Sequence, residues 1–374
     1  MTKKQILRCV LFLLLLSVVL FVLCDLFEQE NSLNHDKRFH QYRSFPENTV
    51  DAVYIGTSGV DRYWIASKAY DEYGMTVYPL SSDALPAWLY IHMIEEAYTH
   101  QNPQLLLLDV RAFCQDNAVS DADIKTDMDI RARRVIDAMD FTSPNRLKVA
   151  MTTMETIHKV DPTQPRWDVS YLLSFVRYHS KWSGEDFLFT TSLGQRDHRY
   201  LGFYYDDWLT VYHKSLPNFR LSSTHTYPLE PLTEDILYEV LDYIREKDLN
   251  VLFVDTPQML DPKDAGRTNR IYEILEEEGF DYVHFYNMDD AYPFSIVFDY
   301  KKDFYNASHV NYYGAEKFTA AFAAYLDEHY DLPDRRNDPA VSEIWDGNYD
   351  YLLECIAEIE AEMALYKASL LTQE

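Results

Sequence analysis

Two short, uninterrupted apolar runs leave this chain few architectures to choose from: QLLLLDV at 104–110 and NVLFVDTP at 250–257. Neither alternates polar with apolar residues. A strand with one wet face alternates, whereas a strand covered by helices on both faces need not, and such strands belong to parallel sheets. The neighbouring segments agree. VDAVYIGTS (50–58), TVYPLS (76–81) and DYVHFYN (281–287) read as further strands. Between them lie helical patterns. DRYWIASKAYDEYG stops at Gly74 and PAWLYIHMIEEAYTHQ starts at Pro86. LTEDILYEVLDYIREKDL, AGRTNRIYEILEEEG and the closing YGAEKFTAAFAAYLDEHY follow. Strands alternating with helices imply an α/β protein with three layers, α/β/α, around a central and mainly parallel sheet. Ligands of such sheets collect beyond the carboxyl ends of the strands.

This domain is expected over residues 50–332, broken by an aromatic, irregular insertion at about 115–225 (YLLSFVRYHSKWSGEDF, HRYLGFYYDDWLTVYHKSL). A structureless connection of that length is rare inside a compact domain. The insertion is therefore expected to be mainly helical and to cap the sheet edge or the site. Residues 333–374 read as a C-terminal helical extension that either packs back on the domain or mediates association.

Residues 1–28 hold Lys3, Lys4 and Arg8 followed by an unbroken apolar run from Cys9 to Cys24. With its flanks the run approaches the roughly 20 residues that a helix needs to cross a bilayer. The preceding cations keep the N-terminus cytoplasmic and send the rest across. FVLCDLF offers no small-residue cleavage site, and Leu23 stands where a lipoprotein signal places a small residue before its cysteine. An uncleaved signal anchor remains, with a single pass through the cell membrane and an extracytoplasmic main domain. Residues 29–49, polar and mixed in charge, read as a tether.

A formal net charge of -27 argues against nucleic acid as a partner and disfavours tight contact with anionic headgroups. The 30 tyrosines read mostly as surface residues of no special purpose. Cys114 and Cys355 form one disulfide only if the fold brings them together. No Cys/His cluster has zinc spacing, so no metal is expected.

Ser58 sits where the first strand gives way to a helix. There a side chain is lifted clear of the sheet, backbone N–H groups point toward it, and the positive helix end favours a developing oxyanion. Gly56 and Gly59 would let a substrate approach the backbone. Taken alone, Gly-x-Ser after a strand also describes a plain tight turn. The second piece is DFYNASHVNYYGAEKFT (303–319), with His309 on a loop just before the last helix. A serine needs a base to be nucleophilic at neutral pH, and histidine is the usual one. A serine after strand one and a histidine before the last helix can meet at one edge of a parallel sheet. Asp289 and Asp290 read as solvated loop acids.

The pair VYIGTSG and DFYNASHVNYYGAEKFT resembles the SGNH/GDSL hydrolase superfamily, and within it the exported, membrane-anchored, DltD-like bacterial branch. The resemblance implies a flavodoxin-like fold and a serine esterase or acyltransferase. Its substrates would be small acyl esters of a cell-envelope glycan or teichoic acid-like polymer, with no cofactor. It implies Ser58 as nucleophile, His309 as base, and the N–H of Ser58 or Gly59 in the oxyanion hole. The family's aspartate three residues before the histidine is replaced by Asn306, so Asn306 or the more distant Asp303 would orient the imidazole. Ser82 or Asp83 stands near the second family block. Asp109 and Arg111 stand where the third would be, with Asp109 read first as a structural strand-end residue. These departures also allow a catalytically eroded relative that binds envelope glycan or assists a membrane O-acyltransferase.

Overall fold

The structure, a computed structural model, describes residues 2–27, 32–114, 124–141, 143–180, 198–205, 209–212, 225–258, 260–285, 296, 298–299 and 301–371. The chain opens with helix α1 (Lys3–Leu26). Its window Lys3–Cys24 has 22 residues and a mean hydropathy of 3.0, and most of its side chains are exposed. It is the one helix among the described residues long and apolar enough to cross a membrane.

Residues 29–49, expected as a tether, contain instead a packed helix, α2 (Ser32–Ser44). Phe39, Tyr42 and Phe45 recur every third residue and are buried, and the Tyr42 hydroxyl donates to Ala97 O at 2.6 Å. That spacing sets one apolar stripe within a polar sequence.

Next come β1 (Ala52–Gly56), α3 (Ser58–Asp61), α4 (Ala66–Tyr73), β2 (Val77–Ser81), α5 (Tyr90–Ala97), β3 (Leu105–Asp109) and α6 (Arg111–Cys114). The insertion contributes α7 (Ile124–Ala138), α8 (Pro144–Val160) and α9 (Ser174–Tyr178). The alternation resumes with α10 (Pro231–Glu246), β4 (Val251–Asp255), α11 (Pro262–Glu278), β5 (Tyr282–His284) and α12 (Tyr312–His329). Two helices close the chain, α13 (Pro339–Trp345) and α14 (Asn348–Leu371).

The five strands form one parallel sheet in the order β2-β1-β3-β4-β5. Every residue of β1 to β4 is buried, which is why those runs do not alternate. Only edge strand β5 has half-buried positions. The helices fall into two groups, α4 with α12 and α14, and α5 with α10 alongside α6 with α11. Right-handed crossovers put one group on each face of the sheet. The chain leaves β1 toward β2 and then returns past it to β3, so β1 and β3 flank the switch point of the order. Outside the carboxyl ends of those two strands is where such sheets hold ligands.

Among the described residues the insertion is mainly helical, with loop and turn at 161–168, 198–205 and 209–212. Helix α7 packs on α2 and α8, and α8 packs on α5. Helix α14 packs back through Leu352 and Ile356, while Leu365, Tyr366 and Leu370 near its end stay exposed. Many tyrosines expected at the surface are buried, among them Tyr42, Tyr54, Tyr63, Tyr78 and Tyr90. The hydroxyls of Tyr42, Tyr63, Tyr78 and Tyr90 find carbonyl partners, as Tyr90 does at Asp109 O (2.5 Å), which lets a ring fill the core without stranding its polar tip, whereas the buried Tyr54 hydroxyl has no hydrogen-bond partner among the described residues. Cys114 and Cys355 are free thiols with separate partners, Thr268 Oγ1 at 3.2 Å and the Tyr200 hydroxyl at 3.6 Å.

Candidate functional site

The corner after β1 is built around a buried carboxylate. Asp109, at the end of β3, accepts from Thr57 N (3.0 Å) and Thr57 Oγ1 (2.6 Å) through one oxygen, and from Arg111 N (3.1 Å) through the other. Burial pushes its pKa up, opposed by the Arg111 guanidinium and then by these hydrogen bonds. The strand-end residue therefore ties the tip of β3 to the turn carrying Ser58. Thr57 is also the N-cap of α3, accepting from Gly59 N at 3.2 Å.

The two glycines serve packing rather than substrate approach. A Cβ at Gly56 would lie 2.2 Å from Asp109 Cβ. One at Gly59 would lie 2.7 Å from Arg111 Cδ and 2.8 Å from Thr256 Oγ1. The N–H of Gly59, one candidate oxyanion donor, is turned to Thr57. The N–H of Ser58 has no hydrogen-bond partner among the described residues.

The second wall comes from the loop before α12. Phe304 and Val310 form an antiparallel bridge, and Tyr305 N donates to His309 O at 3.1 Å. This narrow turn presents its tip, Asn306 to His309, toward β1. Across 251 positions of sequence, Ser58 Oγ lies 2.6 Å from His309 Nε2. On the other side of the ring, Nδ1 lies 3.0 Å from Asn306 Oδ1. That oxygen also accepts from Ser308 N at 2.8 Å, which fixes the amide with its carbonyl toward the ring. An acceptor facing Nδ1 demands a proton on Nδ1. Nε2 is then the bare nitrogen, aimed at the serine hydroxyl. The ring stacks on Tyr305 at 5.4 Å between centroids.

Of the two residues offered for orienting the imidazole, Asn306 occupies the place and Asp303 does not. Asp303 is buried and bound to Lys317 Nζ (2.6 Å) and Asp299 N (2.6 Å), while its carbonyl accepts from Asn311 N (2.9 Å). It staples the base of the loop to α12. Ser82 N continues the sheet ladder to Gly56 O at 3.0 Å, and its side chain is buried. Asp83 places Oδ2 4.0 Å from Arg62, which lies over the rings of Tyr204 and Tyr305. Asp289 and Asp290 lie outside the described residues.

Arg111 is the clamp that sequence reasoning noted only as a departure. It donates to Ser308 O (2.8 Å) and to the Tyr63 hydroxyl (2.9 Å), and reaches Pro257 O (3.3 Å). It thereby joins the His309 loop to the end of β4. A cation two residues after a buried strand-end aspartate was the available signal. Thr57, an N-cap residue directly before Ser58, was another.

Ser58 and His309 are both partly accessible to solvent. Burial first, then the nearby guanidiniums of Arg111 and Arg62, hold the imidazole far below its ordinary value, at about 2, against a smaller upward pull from Asp83. The imidazole is thus neutral in the folded protein at neutral and mildly acidic pH. Because the folded pKa is depressed, the unfolded chain binds a proton at this site that the folded one refuses once pH drops below about 6.5. The stability contribution is complete above that pH and is lost progressively as pH falls from there toward the folded value. Comparing urea unfolding of the wild type with His309→Gln from pH 7 to pH 4 should show the wild type losing about 1.4 kcal/mol more per pH unit below pH 6. Parallel curves would contradict the burial assigned to the ring.

No protein-family model and no curated protein sequence matches this chain.

Proposed function

We propose that the chain is a membrane-anchored serine esterase or acyltransferase of SGNH type, acting on small acyl esters of a cell-envelope glycan or teichoic acid-like polymer. The observation that carries this reading is the 2.6 Å approach of Ser58 Oγ to His309 Nε2, with Asn306 fixing the tautomer. The strand order β2-β1-β3-β4-β5 supports it, since this is the flavodoxin-like order with its switch point beside β1. The cations in the first turns of α1, ahead of its apolar run, support an N-terminus in the cytoplasm and a main domain outside.

In the proposed chemistry, Ser58 Oγ attacks the acyl carbonyl as its proton passes to Nε2. A C–O bond forms and the carbonyl oxygen takes the negative charge, facing the N–H of Ser58 at the start of α3. Collapse expels the alcohol of the polymer, which takes the proton back from Nε2 and leaves an acyl-Ser58. Water then releases the acid, or a second hydroxyl accepts the acyl group, its proton again held by His309. These steps call for no cofactor.

Asn306 favours a second reading. An amide accepts the Nδ1 proton yet offers no charge to an imidazolium, and in serine triads that exchange costs about 10⁴ in turnover. A catalytically eroded relative that binds envelope glycan, or assists a membrane O-acyltransferase, is the alternative. The two part on one experiment. Full-length protein in detergent should hydrolyse short-chain p-nitrophenyl esters, and Ser58→Ala should lose that activity by at least about a thousandfold. Glycan binding without ester hydrolysis, equal in both proteins, would establish the alternative.

A further inference from the structure

The helical insertion carries a face with no duty at the Ser58–His309 site. On α8, Leu147, Met151, Met154 and His158 fall at spacings of four, three and four, which is a single stripe. Leu147 and Met151 are 47% and 52% exposed, and Trp167 beyond them is 58% exposed. Between the stripe and the Arg166–Trp167 segment lies a groove of about 460 Å³. Its walls are Met151, Met154 and Trp167, and its polar rim includes Lys159 and Arg166, both exposed, with Glu155. Arg166 Nε donates to His158 Nε2 at 3.0 Å. An apolar floor under a cationic rim matches an acyl chain ending in an anionic headgroup.

The position of this face says what covers it. The end of α1 docks on the same insertion. Phe21, within the membrane-length window, meets Phe141 edge-on at 5.9 Å, just ahead of α8. Ser174 Oγ, at the start of α9, donates to Cys24 O at 2.8 Å. The two contacts bracket the face in sequence, from Phe141 through Trp167 to Ser174. They hold the insertion at the level where α1 emerges. Charge agrees locally although it does not globally. Residues 131–180 carry eight Lys and Arg against five Asp and Glu in a chain of net charge -27. The excess of cations here differs from the acidic balance of the whole chain, on which the expectation of weak contact with anionic headgroups rests.

We propose that the α8–Trp167 face of the insertion sits on the bilayer that α1 spans, with Trp167, Met151 and Leu147 entering the interface and Lys159 and Arg166 meeting anionic lipid headgroups. This rests on α1 crossing the membrane and is independent of the chemistry at Ser58. Tryptophan is the residue suited to that depth, its ring apolar and its N–H wet.

The test uses the full chain in nanodiscs of phosphatidylcholine and phosphatidylglycerol, with bromine on the acyl chains of the phosphatidylcholine. Bromine should quench the wild-type tryptophan emission, and Trp167→Phe should lose most of that quenching. A Lys159→Glu, Arg166→Glu protein should lose the extra quenching that phosphatidylglycerol gives. Equal quenching in wild type and Trp167→Phe, from a chain that resists alkaline extraction, leaves α1 in the membrane and overturns the seat. A chain removed by alkali removes the anchor and the seat together. Cross-linking of this face to a protein in native membranes, with no quenching in pure lipid, assigns it to a protein partner and also overturns the proposal.

Discussion

Replacing Asn306 with aspartate should raise the rate of ester hydrolysis by about a hundredfold or more, the reverse of the loss that a triad aspartate-to-asparagine exchange produces. The geometry needed is already present. Asn306 Oδ1 is 3.0 Å from Nδ1 and 2.8 Å from Ser308 N, and a carboxylate oxygen accepts both bonds. What the amide lacks is charge. Desolvation of the half-buried His309 and the nearby Arg111 and Arg62 all disfavour a proton on the ring, and Asp83 opposes them. A carboxylate at 306 favours the imidazolium, raises the pKa of the ring and makes Nε2 a stronger base toward Ser58. The sign carries a second signature. The wild-type ring stays neutral well into acid, so its activity should hold there. In Asn306→Asp the ring protonates at higher pH, and the acid limb of the rate profile should move up with it. Asn306→Leu, which removes the acceptor, should slow the reaction instead. An Asn306→Asp protein with unchanged rate and unchanged acid limb would mean that His309 does not serve as the base.

The largest effect on stability is expected at Arg38, in the helix that the sequence disguised as a tether. Its guanidinium lies 3.1 Å from Asp61 Oδ2 and donates to Ser81 O at 3.2 Å, and both charged side chains are nearly inaccessible, at 4% and 1%. Burial pushes Asp61 upward, and Arg38 is the main opposing influence. Arg38→Met keeps most of the volume and strands a carboxylate at the end of α3, three residues from Ser58. Removing one partner of a buried pair costs about 3–5 kcal/mol. The loss should shrink on acidification, because the stranded carboxyl takes up a proton. Arg38→Met with Asp61→Asn should recover part of it, as chemical denaturation of the single and double variants would show. A single variant as stable as wild type would mean that α2 does not bear on the corner carrying the nucleophile.

These two sites mark how far the sequence could be read. Buried parallel strands announce themselves, since LLLLD and VLFVD admit no wet face, and from them follow the sheet and the rim where Ser58 and His309 stand. Gly74, read as a helix stop, takes the left-handed conformation expected there, with φ of 75°. Helix α2 was hidden because its buried Phe39 and Tyr42, continued by Phe45 just past its end, stand among ten polar residues. The buried tyrosines were misjudged because composition does not tell a satisfied hydroxyl from a solvated one. The roles of Asp303 and Asn306 were beyond reach in another way. Which one faces Nδ1 depends on how a turn of seven residues folds, and that is decided by the Phe304–Val310 bridge and by Lys317 from another element. The clamp of Arg111 on Ser308 O spans 197 positions and left no local pattern to detect.

Whether Ser58 and His309 act as a pair is tested most directly by mapping where a fluorophosphonate attaches in the full-length protein and how fast. Covalent modification should fall on Ser58 in the wild type and slow by at least about a thousandfold in His309→Ala. A wild type that stays unmodified, or that is modified at the same rate without the imidazole, would contradict a shared proton between them.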